Sequence, residues 1–351
     1  MGLKQRTSNS DLPWDRWSVF IIGPYMILLL YTYHAHRIQI PNFVNIQYPG
    51  DAEFYKAYEA YLLNNFNTSL QKWQNNLTLL MEDSDFCNKE TPPELVVFFK
   101  TTYDNHAVRN HIRKTWGNKT YYDNSGMNTR VFFVVGQRLP NRTADDIMLK
   151  YEHMKFRDIV QFDFVDTYKN LTYKVGAMLY YIIHRCPEVN FVASFDDDFL
   201  VHPTNVVKQL RAVTESNYPI FIGGKAYYFN AVNRDPLFKW FIPRSSYPYS
   251  HALPFVSGGT VLMSMPVAKL LSFGMTLIPF FGIDDVLFGM VLTNFGISPT
   301  SLVNVHTQPP MVLGANITQL CNLISSHGFK SLERQQLGWT SLRESCSTIY
   351  D

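Results

Sequence analysis

From residue 94 to residue 224 short apolar runs alternate with longer amphipathic ones, and that alternation restricts the fold more than any other feature. ELVVFFK (94–100), RVFFVVG (130–136), DIVQFDF (158–164), NFVASF (190–195) and YPIFIGG (218–224) each read as a buried strand, being short and nearly all apolar. Between them lie helical patterns. DNHAVRNHIRKTW (104–116) has Asp104 as its N-cap, and a second helix carries Asp145 and Asp146 near its start and reaches about Lys155. TYKNLTYKVGAMLYYIIHRC (167–186) is a third, and PTNVVKQLRAV (203–213) opens with proline as a helix start. Repeated β-α-β units predict an α/β fold, Rossmann-like, with a mostly parallel sheet flanked by helices. In such sheets a ligand sits outside the carboxyl ends of the strands.

The run NFVASF leads straight into Asp196-Asp197-Asp198, at such a strand end. Three adjacent carboxylates repel one another and lose hydration unless a cation or hydrogen bonds compensate. Only Ser194 is polar among the five residues before them, so a solvated acidic turn is the weaker reading. Hard divalent ions take oxygen ligands, and Mg²⁺ or Mn²⁺ commonly combines one or two carboxylates with substrate phosphates. The aspartates alone do not separate sugar transfer from phosphate hydrolysis. The net charge of +2, from 31 Lys+Arg against 29 Asp+Glu, gives no reason to invoke nucleic acid.

Residues 17–33, WSVFIIGPYMILLLYTY, carry no charge and span roughly 25 Å as a helix, the lower limit for a bilayer. Lys4, Arg6 and Arg16 precede this run and Arg37 alone follows it closely, which places the N-terminus in the cytosol. The expected organisation is a cytosolic tail (1–16), a transmembrane signal-anchor (17–33), a lumenal stem (34–93) and a catalytic domain (94–351). A cleaved signal peptide is the rival, but no small-x-small cleavage site follows the apolar run. Six Asn-x-Ser/Thr sequons, at Asn67, Asn76, Asn118, Asn141, Asn170 and Asn316, all follow the anchor and agree with lumenal exposure. Asn170 reads equally as a helix cap. Cys87, Cys186, Cys321 and Cys346 permit two disulfides in an oxidising compartment or four thiols in a reducing one. Within the stem, Phe66, Leu70, Trp73, Leu77 and Leu80 follow the spacing of one helical stripe, which either docks on the catalytic domain or pairs with a second copy to give a homodimer.

Six segments in one order carry more information than any of them alone. They are RNHIRKTWG (109–117), VFFVVG (131–136), RDIVQFDFVDTYKNLTYK (157–174), FVASFDDDFLVHP (191–203), FVSGGTVLMS (255–264) and IDDVLFGMVLTNFGI (283–297). Together they resemble the β1,3-galactosyltransferase family of inverting, metal-dependent glycosyltransferases with the GT-A fold, which includes N-acetylglucosaminyl and N-acetylgalactosaminyl transferases. The resemblance covers residues 94–346. It implies that Asp196 and Asp197 face the ribose and uridine side of a UDP-sugar and that Asp198 binds Mn²⁺ or Mg²⁺ directly. His327, 12 residues before Trp339, is implied as a second metal ligand, with His202 and His306 as rivals. Arg109 and Arg113 are implied near the nucleotide, or else tie the first helix to the sheet. Asp166 and Lys174 match a D-x-Y-x-N-L-T-x-K element, where Lys174 either neutralises phosphate or pairs with a carboxylate.

Asp285 matches the family's catalytic base, which takes the proton of the acceptor hydroxyl as it attacks the anomeric carbon. The competing role for Asp284 and Asp285 is N-capping of the helix that follows. Gly258 and Gly259 fall where backbone approaches the ligand. Three departures stand out: Ser194 replaces a lysine of the family, Asp284 replaces a glutamate, and Met290-Val291-Leu292 lacks an expected cysteine. The implied activity is transfer of galactose from UDP-galactose to a glycoprotein or glycolipid acceptor in β1,3 linkage, in the Golgi membrane. N-acetylglucosamine or N-acetylgalactosamine is the alternative donor sugar. A catalytically silent scaffold and a metal-dependent phosphohydrolase are the other classes. The first would lack the aspartates, and the second leaves the remaining motifs without a role.

Overall fold

The strands read from sequence form the centre of an eight-stranded mixed sheet in a computed structural model. The structure describes residues 54–346, apart from 72–75, 84, 86, 88–90, 139–142, 280 and 309–315. The helices are α1 (Phe54–Leu62), α2 (His106–Lys114), α3 (Lys119–Asn124), α4 (Thr143–Phe156), α5 (Leu171–Arg185), α6 (Pro203–Arg211), α7 (Met265–Thr276), α8 (Asp284–Asn294), α9 (Ile317–Cys321) and α10 (Leu332–Ser345). The larger sheet runs β1-β4-β3-β2-β5-β8-β7-β9. Its strands are β1 (Leu79–Met81), β2 (Leu95–Lys100), β3 (Thr129–Gln137), β4 (Ile159–Val165), β5 (Phe191–Asp196), β7 (Ile222–Tyr227), β8 (Phe255–Ser264) and β9 (Thr300–Ser301). A smaller sheet orders β10 (Val305–His306), β11 (Ser325–His327) and β6 (Phe199–Val201).

The parallel block β4-β3-β2-β5 matches the β-α-β expectation. Beyond β5 the sheet reverses, because β8 pairs antiparallel with both β5 and β7. YPIFIGG therefore does not continue the parallel series. Tyr218–Ile220 form a 3-10 turn, and β7 follows on the far side of β8. Single-strand periodicity carries no direction, so this reversal is invisible in the apolar runs.

Every residue of β2 is buried, which explains its uninterrupted apolar reading. Phe99 packs against Phe133 and Phe195 at ring-centroid distances of 5.7 and 5.6 Å, on the face that also holds Trp116, Phe199 and Trp339. Phe98 stacks on Phe132 on the other face, at 5.9 Å. Emptying either face by Phe99→Ala or Phe98→Ala costs about 3–5 kcal/mol.

The stripe from Phe66 to Leu80 does not form one helix. Asn67 breaks it by capping a 3-10 turn, its side chain accepting from the Ser69 N–H, and Leu80 lies in β1. Trp73 lies outside the described residues. The segment docks on the body of the protein instead: Phe66 and Tyr61 sit 5.1 and 4.9 Å from Phe273, and β1 pairs antiparallel with β4, covering that sheet edge. Disulfides join Cys87 to Cys186 and Cys321 to Cys346. Among the described residues no helix is long and apolar enough to cross a membrane, and residues 17–33 lie outside them.

Candidate active site

Parallel strands β2 and β5 end side by side, with Lys100 in register with Asp196. β8 runs the other way, so its beginning, Ser257 to Gly259, arrives at the same end. Antiparallel pairing with β5 carries the chain from Thr260, opposite Phe195, to Ser264, opposite Phe191. Helix α8 brings Asp284 and Asp285 in its first turn. The result is a cleft of about 520 Å³ whose lining includes Lys100, Asp196, Gly258, Asp285, Tyr168 and His327.

Lys100 was not singled out in the sequence, yet it stands at the centre. Its buried ammonium lies 2.8 Å from Asp196 and 3.8 Å from Asp284, and donates to the Gly258 carbonyl at 2.8 Å. Burial pulls its pKa down, but Asp196 and Asp284 outweigh that and hold it above its ordinary value. A side chain on Gly258 would crowd this contact, since a Cβ there would meet the Asp284 carboxylate at 3.3 Å. At Gly259 a Cβ would run into the Phe199 ring at 2.3 Å. Both glycines thus admit neighbouring side chains of the protein itself.

Asp285 lines the cleft, and Asp284 is buried behind it against Lys100. The Gly258 N–H donates to Asp285 at 3.4 Å and the Val286 N–H at 2.8 Å, the second being a local bond at the helix start. Burial and the adjacent Asp284 push the Asp285 carboxyl up to about 7, and burial also raises Asp284. An acid with that affinity for protons is matched to general-base work near neutrality.

The triple aspartate divides its contacts. Asp196 pairs with Lys100. Asp197 accepts from the Asn105 side chain at 2.8 Å, and its carbonyl accepts from Gln335 at 2.8 Å. Asp198 Oδ2 lies 3.2 Å from His327 Nε2, with both side chains about a third exposed. Burial, then Asp196, raises Asp198, so a cation beside it would relieve both costs. Among the described residues no group of three or more His, Cys, Asp or Glu forms a ready metal centre. Two protein donors nevertheless fit a Mg²⁺ or Mn²⁺ ion that completes its shell with phosphate oxygens and water. His202 is fully buried at the start of α6, with burial lowering its imidazole to about 4, and His306 lies on β10 with Lys225 as its charged neighbour. Of the three histidines, His327 is the one paired with Asp198.

Arg109 and Arg113 take the structural alternative. Arg109 is completely buried and donates to Glu152 at 2.7 and 2.8 Å and to the carbonyls of Thr102 and Tyr103. Arg113 pairs with Glu152 at 2.7 Å and with Asp158 at 2.7 and 2.8 Å. Neither guanidinium lines the cleft: carboxylates of α4 and of the residue before β4 occupy both. Lys174 and Asp166 form a buried pair at 2.7 Å, closed by Lys174 donating to the Thr101 carbonyl and Asp166 accepting from the Gly136 N–H. They brace the ends of β2, β3 and β4, and this pairing is the second of the two roles open to Lys174.

The chain is similar in sequence to known proteins. A family model described as Galactosyltransferase matches residues 107–303. A Danio rerio protein named lactosylceramide 1,3-N-acetyl-beta-D-glucosaminyltransferase B is 33% identical over 213 residues, covering 59% of this chain and 55% of that protein. Its Xenopus laevis namesake is 31% identical over 277 residues, covering 77% and 67%. Mouse beta-1,3-galactosyltransferase 5 is 29% identical over 242 residues, covering 69% and 77%. The chain spans 55% and 59% of the lengths of the Danio rerio and Xenopus tropicalis relatives. Among solved structures, the WbbM bifunctional glycosyltransferase superposes with a TM-score of 0.42 at 10% identity, over 75% of this chain and 52% of that one. The family match takes in more than half of the 351 residues and includes Lys174, the triple aspartate and Asp285, and on that ground the chain belongs to the galactosyltransferase family.

Proposed function

We propose that the protein is a UDP-sugar-dependent β1,3-glycosyltransferase of GT-A type that inverts the anomeric centre. One observation carries this reading: a single cleft is lined by Asp196, by His327, which is paired with Asp198, and by the carboxylate of Asp285. The acceptor hydroxyl enters between them, and Asp285 takes its proton as the oxygen attacks the anomeric carbon. Lys100 holds Asp196 and Asp284 to one ammonium, which fixes the start of α8 against the end of β5. A divalent cation held by Asp198 and His327 would supply Lewis-acid stabilisation of the leaving diphosphate. Tyr168, Lys239 and Trp240 form the outer wall, with the Lys239 ammonium 4.0 Å over the Tyr168 ring.

The donor read from the sequence is UDP-galactose. The Danio rerio and Xenopus laevis relatives bear N-acetylglucosaminyltransferase names, which supports UDP-N-acetylglucosamine as the second reading. The apolar run at 17–33 and the sequons after it support a type II protein of the Golgi membrane acting on glycoprotein or glycolipid glycans. UDP release by the purified protein, measured against a panel of UDP-sugars and acceptors with and without Mn²⁺, tests the proposal. Transfer that persists after chelation of all divalent metal would remove the metal-assisted mechanism. Hydrolysis of phosphate esters without glycosyl transfer would remove the reading as a whole.

A further inference from the structure

A second cavity, of about 620 Å³, opens where α1 leans on α7 and the end of α5. Tyr58, Tyr61, Tyr180, His184 and Phe273 line it together with Asn76. It shares no lining residue with the catalytic cleft. Tyr61 and Tyr180 are 46% and 47% exposed, and Leu62 beside them is 61% exposed. The Tyr180 ring lies 4.0 Å from that of His184, and Gln71 and Lys269 add polar groups. Half-exposed aromatic rings beside amide and ammonium donors suit a pyranose, whose C–H face packs on aromatics while its hydroxyl and N-acetyl groups find polar partners.

Asn76 heads the sequon Asn76-Leu77-Thr78, and it is exposed. The Thr78 N–H donates to Asp163 at 2.7 Å and the Thr78 carbonyl accepts from the Asp163 N–H, which pins the sequon to β4. None of the other described sequon asparagines lines this cavity. Asn67, Asn118 and Asn316 cap turns or helices, their side chains accepting from the backbone N–H groups of Ser69, Thr120 and Gln319. The Asn170 amide nitrogen is engaged, donating to the Val165 carbonyl at 2.7 Å. Asn141 lies outside the described residues.

We propose that Asn76 is N-glycosylated and that the first sugars of its glycan seat in this aromatic cavity, covering the Tyr61, Leu62 and Tyr180 surface. The modification joins the Asn76 amide nitrogen to the anomeric carbon of a lipid-diphosphate-linked oligosaccharide. The nitrogen loses one proton, the lipid diphosphate leaves, and no redox step is involved. Two or three exposed rings hold a free monosaccharide weakly, but a covalent tether presents the sugar at millimolar effective concentration. The proposal rests on the lumenal orientation given above and not on the catalytic assignment.

The full chain, expressed in cells that N-glycosylate and extracted without denaturation, allows both parts to be tested. Glycopeptide mass spectrometry reads occupancy at each sequon, and timed digestion with an endoglycosidase reads how open each glycan is. The Asn76 glycan is expected to be released about tenfold more slowly than that on Asn118, the protection that about 1.4 kcal/mol of seating supplies. Tyr61→Ser and Tyr180→Ser, both at half-exposed positions, should abolish the difference. An unmodified Asn76 beside occupied Asn67 or Asn118 overturns the inference, as does equal release or slow release that survives both tyrosine changes. Absence of N-glycan at every sequon overturns this inference and the lumenal orientation together, and leaves the transferase reading standing.

Discussion

Two buried clusters of charge lie within the same sheet-and-helix frame, and they are balanced in opposite ways. Around Glu152, the cations Arg109 and Arg113 meet the carboxylates of Glu152 and Asp158, with His106 on the same oxygen as Arg109. Around Lys100, one ammonium serves Asp196 and Asp284, with Asp285 a step further off. Burial alone would push Glu152 up, but Arg109, His106 and Arg113 reverse that and hold it at about 2. Burial pushes Asp285 up too, and there Asp284 adds to the push, leaving it at about 7. Cations that match the carboxylates in number keep them ionised and structural, whereas a shortage of cation leaves a carboxylate able to act as a base.

The largest effect should come from removing the base. Asp285→Asn keeps the shape and the Val286 contact and is expected to lower transfer by about 10²–10⁴-fold, read as UDP release with acceptor present. Full transfer by this variant would sink the assignment. Asp198→Ala should match it in activity loss and should also weaken the response to added Mn²⁺.

Breaking the other cluster should instead cost stability. Glu152→Gln leaves Arg109 buried without its counter-charge and is expected to destabilise the fold by about 3–5 kcal/mol, measured by denaturant unfolding. Specific activity of the fraction that stays folded should be nearly unchanged.

The pH dependence of stability should carry opposite signs for the two clusters. Glu152 titrates lower in the folded protein than its ordinary 4.5, so its stabilisation is complete above that value and is lost as pH falls toward 2. Asp285 titrates higher in the folded protein than its ordinary 3.8, so it favours folding at low pH and increasingly opposes it as pH rises from 3.8 toward 7. Asp285→Asn should therefore raise the melting temperature at pH 8 and leave it nearly unchanged at pH 4. An equal gain at both values would mean that charge at this position is not what opposes folding.

The smallest effect is the most specific. The acid limb of kcat/KM should fall below pH 7, because a protonated Asp285 cannot accept the acceptor proton. Lys100→Met removes a charge that favours ionised Asp285, so the limb should move upward by about one unit, and Lys100→Arg should restore much of it. A uniform loss at all pH values would make Lys100 a purely structural strut.

The comparison also shows what the sequence could convey. Strand positions, the helix starting at Pro203 and the strand-end place of Asp196 were legible because burial leaves continuous apolar runs and caps leave local marks. Lys100 was not, since one lysine ending an apolar run looks like any strand exit, and its partners lie 96 and 184 residues away. Arg109 and Arg113 resembled ligand-binding residues for the same reason. A guanidinium three or four residues from another on a helix looks alike whether it meets a diphosphate or Glu152, 43 residues on. The reversal at β8 was hidden because direction leaves no periodic mark.

That reversal has a consequence for how the protein can be modified. The triple aspartate lies at the end of β5, the last strand of the parallel block along the chain, while Asp285 and His327 come from chain that follows it. The strand ends that carry Asp196 and Gly258 meet along the β5–β8 seam, held by backbone bonds that do not depend on side-chain identity. Apart from Tyr168, the outer wall, from Tyr227 to Ala252, belongs to the later part. Changes in that stretch leave Lys100, Asp196 and the strands that place them in position, so the outer lining can vary while the buried charge cluster stays fixed.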